Sequence, residues 1–238
     1  MTIAIISDIH GNLEALRETF SYIDKEDINT VYCLGDIVGY GPNPNECVEL
    51  VRKRCKTVVL GNHDAAATGT VDISRFNLNA RTAIVWTRKK LNEENRNFLK
   101  DLPYTYKEND LLFVHASPTH PESWTYVFSV VTAKEELSGF NEKVCFIGHT
   151  HSPVIYPNAE TVDKSNRQHF EKDKKYLVNA GSVGQPRDGD NRLCFCLYDT
   201  IEQNIEFIRL NYDIKVTSEK IISSGLPPFL AERLINGY

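Results

Sequence analysis

Ile3-Ala4-Ile5-Ile6-Ser7-Asp8-Ile9-His10-Gly11-Asn12 carries the pattern that decides the fold: a short apolar run gives way to polar, metal-seeking side chains and a glycine. Four more runs do the same. Residues 31–34 lead into Gly35-Asp36, 57–60 into Gly61-Asn62-His63-Asp64, 111–114 into His115, and 144–147 into Gly148-His149-Thr150-His151. Apolar runs of this length bounded by glycine and polar residues read as buried strands. The polar blocks therefore lie at strand ends, where open α/β sheets form their sites. Residues far apart in the chain can meet there in one crevice.

Helical spacing follows the first block, with Leu13, Leu16, Phe20 and Ile23 on one face, which completes a strand-loop-helix unit. A second helix is expected after Asp36, with Asn43 as cap, Pro44 at the first position and Glu46 completing a capping box. Between Asn77 and Leu99 two helices are expected to break near Asn92, the first with Leu78, Thr82, Val85 and Trp86 on its face. Beyond His151, residues 176–179, 193–198 and 204–210 alternate as strands and suggest a second, mostly antiparallel sheet. Residues 157–175 are polar and mixed in charge, so they read as a solvated excursion with His169 at the surface. A terminal helix over 227–234 would pack Phe229, Leu230 and Leu234 onto the body. No Pro/Gly/Ser-rich linker divides residues 8–151, and we read residues 1–238 as one domain.

Composition narrows the function. A net charge of −5 argues against a nucleic-acid surface, which needs a basic footprint. The cluster Arg52, Lys53, Arg54 and Lys56 ends a helix, where cations offset the macrodipole. None of the six cysteines forms a Cys-x-x-Cys pair, and Cys194 and Cys196 are too local for an ordinary disulfide. No run reaches the ~20 apolar residues of a membrane span, and the first apolar run lacks the basic flank of a signal peptide. A cytoplasmic enzyme is the expectation, and its oligomeric state is left open.

The blocks permit metal chemistry. Asp8 and His10, two apart in an extended segment, would share a face and grip one ion. Asp36 could bridge two ions ~3.5 to 4 Å apart, since a carboxylate has two oxygens and a charge that offsets their repulsion. Asn62 offers an amide oxygen, and His115, His149 and His151 offer imidazole nitrogens. Without a thiolate, this donor set suits Mn, Fe, Zn, Ni or Co better than Ca or Mg. Two divalent transition-metal ions would activate a bridging water and clamp phosphoryl oxygens for in-line attack. His63, surplus to coordination, is assigned as general acid, with Asp36 or Asp64 orienting it. Taken singly, an Asp-x-His or a lone His after a strand is usually structural, but five blocks in order are not. His120 reads as structural.

Asp8-x-His10, Gly35-Asp36, Gly61-Asn62-His63-Asp64, His115 and Gly148-His149-x-His151 resemble the signature of the calcineurin-like metallophosphoesterase superfamily. Residues 179–187 also resemble the Gly-rich segment of its small prokaryotic single-domain members. The resemblance implies a four-layer α/β/β/α sandwich of two facing mixed β-sheets with the site at their strand ends. It implies one metal on Asp8, His10, Asp36 and His151, and another on Asp36, Asn62, His115 and His149, with His63 as proton donor. Protein phosphatases and dinucleoside-tetraphosphate hydrolases of the superfamily carry an arginine after Gly-Asp, where this chain has Tyr40. One neutral donor in place of a bidentate cation weakens selectivity for dianionic monoesters. A small phosphodiester or nucleotide-type substrate is therefore expected, with Tyr40 and Arg187 contacting it from the loops around 39–42, 75–81 and 184–187. The rivals are a dinucleoside polyphosphate hydrolase, a phosphomonoesterase and, in another class, a non-catalytic metal-stabilised scaffold.

Overall fold

The protein, seen as a computed structural model, is described for residues 1–158 and 161–238. Its strands are β1 (Thr2–Ile6), β2 (Val31–Cys33), β3 (Thr57–Val58), β4 (Thr105–Glu108), β5 (Leu111–Val114), β6 (Val144–Ile147), β7 (Val154–Pro157), β8 (Arg167–His169), β9 (Tyr176–Asn179), β10 (Leu193–Asp199) and β11 (Asn204–Leu210). The helices are α1 (Leu13–Lys25), α2 (Pro44–Arg54), α3 (Asn62–Thr68), α4 (Leu78–Lys90), α5 (Glu93–Lys100), α6 (Val130–Leu137), α7 (Ile214–Ser223) and α8 (Phe229–Asn236). Two mixed sheets run in the orders β3-β2-β1-β10-β11-β8 and β4-β5-β6-β9-β7.

The alternation of buried side chains fixes the layers, because period-two strands send neighbours to opposite faces. In β1, Ala4 and Ile6 pack with Leu16, Phe20 and Ile23 of α1, while Ile3 and Ile5 face the other sheet. In β6, Val144 and Phe146 meet that same inter-sheet cluster, while Cys145 and Ile147 pack against Ala133 and Leu137 of α6. Helix, sheet, sheet, helix is therefore the order through the molecule, the sandwich that the resemblance implied. Between the sheets, Tyr32 stacks on Phe113 at 4.2 Å. Each fully buried Ile or Phe there contributes about 1.5–3 kcal/mol by leaving water.

Several expectations need correction. The later strands do not make a sheet of their own: β10 pairs antiparallel with β1, β11 with β10, and β9 runs parallel to β6 in the other sheet. Strands buried on both faces carry the same apolar signal in either sheet, so pattern could not assign them. The polar excursion contains the edge strand β8, with exposed His169 bonded through Nδ1 to Asn204 Oδ1 at 3.0 Å; Ala159 and Glu160 lie outside the described residues. The first helix after Asn77 buries Ala80, Ala83, Ile84 and Thr87, whereas Leu78 and Val85 are exposed. Small alanines let α4 come close to the C-terminal helices, so bulk was a misleading guide to its inner face. At α2, Asn43 makes no side-chain bond to the backbone and instead donates to Glu46 Oε1 at 3.0 Å. α7 was not anticipated, and in α8 Phe229 stays partly exposed while Leu230, Ala231 and Leu234 are buried. Arg52, Lys53 and Arg54 fill the last turn of α2, as expected, and Arg52, Arg54 and the following Lys56 also pair with Glu94, Asp24 and Glu108. All six cysteines are unpaired. Among the described residues no helix is long and apolar enough to cross a membrane.

Candidate active site

All five polar blocks meet at one end of the two sheets: those after β1, β2 and β3 come from one sheet, and those after β5 and β6 from the other. The backbone there is not extended. Asp8, His10, Asp36, Tyr40, His149 and His151 all have φ between 50° and 66°, the left-handed region that side chains rarely occupy. The expected reason for Asp8 and His10 to share a face is thus replaced by a tight reversal after Ile6. Two glycines make the approach possible. A Cβ on Gly61 would stand 2.1 Å from Asp36 Oδ1, and one on Gly148 would stand 2.0 Å from Ser7 Oγ.

Hydrogen bonds point one acceptor of each ligand inward. His10, His115 and His151 donate from Nδ1 to the carbonyls of Val38, Leu34 and Gln185 at 3.1, 2.8 and 2.6 Å. Each Nε2 is thereby the ring nitrogen left for a ligand. Asp8 Oδ2 accepts from Ser7 Oγ at 2.7 Å and from the His149 amide at 3.0 Å, which leaves Oδ1 buried without a partner. Asp36 Oδ1 accepts from the His63 amide at 2.8 Å. Its Oδ2 lies 3.7 Å from His10 Nε2 and 3.3 Å from His115 Nε2, between the two groups of histidines. Asn62 Oδ1 is 3.2 Å from His115 Nε2, and His149 Nε2 is buried and unpartnered.

These atoms are acceptors facing acceptors. His10 Nε2 and His151 Nε2 stand 3.1 Å apart with no proton to share, a repulsive contact that positive charge between them would reverse. Two clusters, Asp8/His10/His151 and Asp36/His115/His149, each bring their ligand atoms within 4.8 Å of one another and could each hold a cation. The donor set of carboxylates and imidazoles fits divalent metals. The carboxylates favour positive charge at this spot: burial opposes a charge on His115, yet Asp36 and Asp8 raise its pKa to about 9, and a cation held there would take the place of the proton on Nε2. Burial pushes His149 down to about 3, with the His115 charge adding to the effect.

His63 sits against Tyr40, with ring centroids 4.5 Å apart, and against Phe76 at 5.2 Å. Its Nδ1 is buried without a hydrogen-bond partner, so neither Asp36 nor Asp64 orients the ring through that atom. Asp64 instead accepts from the amides of Val38 at 3.1 Å and Gly61 at 3.3 Å, tying two site loops together. Burial and the nearby Asp36 charge raise its pKa to about 8. His120 is exposed, near Glu122 and away from the ligands.

Tyr40 is buried beside His10, and Arg187 lies over its ring at 5.7 Å. Sequence reasoning missed Arg233 of α8, whose guanidinium lies 5.9 Å from the same ring. Only its place one residue before buried Leu234 hinted at this. A cleft of about 390 Å³ opens beside Asn62, lined by Tyr40, His63, Phe76, Trp124, Tyr126 and His149. Tyr126 stacks on His149 at 3.9 Å.

Comparison with known proteins agrees with this geometry. The model of the calcineurin-like phosphoesterase superfamily domain matches residues 1–203. An uncharacterized protein of Methanocaldococcus jannaschii is 43% identical over 242 residues, covering 99% of this chain and 98% of its own. The crystal structure of a metallophosphoesterase from Sphaerobacter thermophilus is 38% identical and superposes with a TM-score of 0.89, over 100% of this chain and 99% of that one. A hypothetical protein from Pyrococcus horikoshii OT3 shares the fold at 22% identity and a TM-score of 0.82, over 100% of this chain and 98% of its own.

Proposed function

The chain belongs to the calcineurin-like phosphoesterase superfamily, and from that premise we propose that it is a metal-dependent hydrolase of small phosphate esters, diesters ahead of monoesters, acting as one domain over residues 1–238. The observation that carries this reading is the convergence of buried, unpaired acceptors at the ends of two sheets. Asp8, His10, Asp36 and His151 would hold one divalent cation, and Asp36, Asn62, His115 and His149 the other. Mn, Fe, Zn, Ni and Co all suit this donor set. Bound there, two cations offset phosphoryl charge and lower the pKa of water near the reacting phosphorus.

The chain's own groups do the rest. The Nδ1 bonds of His10, His115 and His151 fix the tautomers before substrate arrives. His63 protonates the leaving oxygen. Burial and Arg187 hold its pKa down to about 4, against the pull of Asp36; an incoming phosphate brings negative charge that favours the protonated ring. Asp64 is assigned a positioning role, through the loops that carry Val38 and Gly61. Tyr40 supplies one neutral donor where an arginine would favour a dianion, and the aromatic walls of the cleft suit a flat ester group such as a nucleobase. Six unpaired thiols fit the reducing cytoplasm.

Hydrolysis of bis-p-nitrophenyl phosphate by manganese-loaded protein, with elemental analysis of the same sample, tests this reading. Two equivalents of metal and turnover above buffer are expected; turnover at the buffer rate would leave the scaffold reading. The His63→Gln variant should lose about 100-fold or more on alkyl or nucleoside esters and much less on p-nitrophenyl esters, which leave without a proton. Equal losses across leaving groups would contradict the acid role.

A further inference from the structure

Building on the hydrolase reading, we infer that Arg187 and Arg233 together hold a second phosphate group of the substrate, beside the one that reacts. The substrate class is then a nucleotide-type ester that carries a further phosphate.

The two guanidinium groups come from separate parts of the chain. Arg187 follows the Gly-rich loop and donates from Nε and Nη2 to Gln185 Oε1 at 3.3 and 2.7 Å. Gln185 is also the residue whose carbonyl fixes His151. Arg233 stands on α8, outside the residues that the family model matches, and donates from Nε to the main-chain oxygen of Tyr238 at 2.6 Å. Both face the Tyr40 ring, which itself packs on His10 and His63. An anion held by the pair thus lies next to the reacting site rather than on a remote surface.

Arg52, Arg54, Arg167, Arg192 and Arg209 each pair with an Asp or Glu. Among the described residues neither Arg187 nor Arg233 pairs with an Asp or Glu side chain, which is also true of Arg17, Arg75, Arg81, Arg88 and Arg96, but Arg187 and Arg233 are half-buried against one ring beside the site. The groups that bear most on Arg233 are Arg187, Tyr40, Tyr238 and Tyr126, none of them an Asp or Glu, and burial together with Arg187 pulls its pKa down to about 10. Two like charges, half-buried and both against the Tyr40 ring, disfavour one another, and a bound anion would relieve that repulsion. A phosphate matches the planar fork of each arginine. The cations would already serve the reacting phosphoryl group, so the two arginines suit a further one.

Calorimetric titration of manganese-loaded protein with AMP, ADP and adenosine 3′,5′-bisphosphate tests the inference without requiring turnover. At least one doubly phosphorylated nucleotide should bind about ten-fold or more tightly than AMP. That advantage should fall below about three-fold in Arg233→Gln, with Arg233→Lys intermediate because it keeps charge but loses the fork. Arg187→Gln, on a different element, gives the same readout if Arg233→Gln melts early. Parity among the nucleotides in the wild type, or an advantage that survives both glutamine variants, overturns the second-phosphate site. Equal weakening of all three nucleotides would also overturn it, since the arginines would then serve the reacting group. If bis-p-nitrophenyl phosphate is not hydrolysed while the preference is present, the hydrolase reading fails and the anion site stands.

Discussion

At Gly148 a single hydrogen atom decides whether Asp8 can take its place. A methyl group there would meet Ser7 Oγ at 2.0 Å and Asp8 Oδ2 at 2.4 Å, so the carboxylate and its hydroxyl partner would have to move. Gly148→Ala should cost about 1–3 kcal/mol through overpacking and should lower the metal content of the purified protein. Full metal content with an unchanged melting temperature would show that the close approach is dispensable. At this scale the sequence was informative about identity and silent about conformation. Asp8, His10, Asp36, His149 and His151 stand out because polar residues interrupt apolar runs, but their left-handed backbone has no signal in residues other than glycine. Arg233 was hidden for another reason: its place over Tyr40 depends on how α8 docks, a long-range event.

Among the elements, α3 is short, and its first turn carries Asn62 and His63. Seven residues hold little helix stability of their own, so tertiary contacts must secure it. One such contact comes from α4, where Arg88 donates from Nε and Nη2 to the Ala66 carbonyl at 2.9 and 2.7 Å. Arg88→Ala should therefore destabilise by about 1.5–3 kcal/mol, read from the denaturant midpoint. It should also weaken metal retention, although Arg88 touches no ligand; a normal midpoint would mean that α3 is held otherwise. The boundary between α4 and α5 at Asn92 was legible because Asn92 caps α5, accepting from the Asn95 amide at 2.8 Å. The inner face of α4 was not, since Ala80 and Ala83 carry too little hydropathy to outweigh Leu78 and Val85.

For the whole molecule, the space between the sheets matters most. Phe146 lies there, 5.6 Å from Phe113 and 5.6 Å from Tyr198 across the sheet-to-sheet contact. Phe146→Ala should cost about 3–5 kcal/mol, and unfolding should stay a single transition, because both sheets share this core. Two separate melting steps would show that the sheets are independent. Which strand joins which sheet was illegible for the reason that makes this core strong: runs such as Leu111–Val114 and Val144–Ile147 are buried on both sides. One sheet brings Asp8, His10, Asp36 and Asn62 to the site, and the other brings His115, His149 and His151. Ions seated among them would act as rivets through two plates, so that prying the halves apart and stripping the metals become one event. Chelation should then loosen residues at the far edge of each plate as well as those at the rim, in proportion to how tightly the rivets were set.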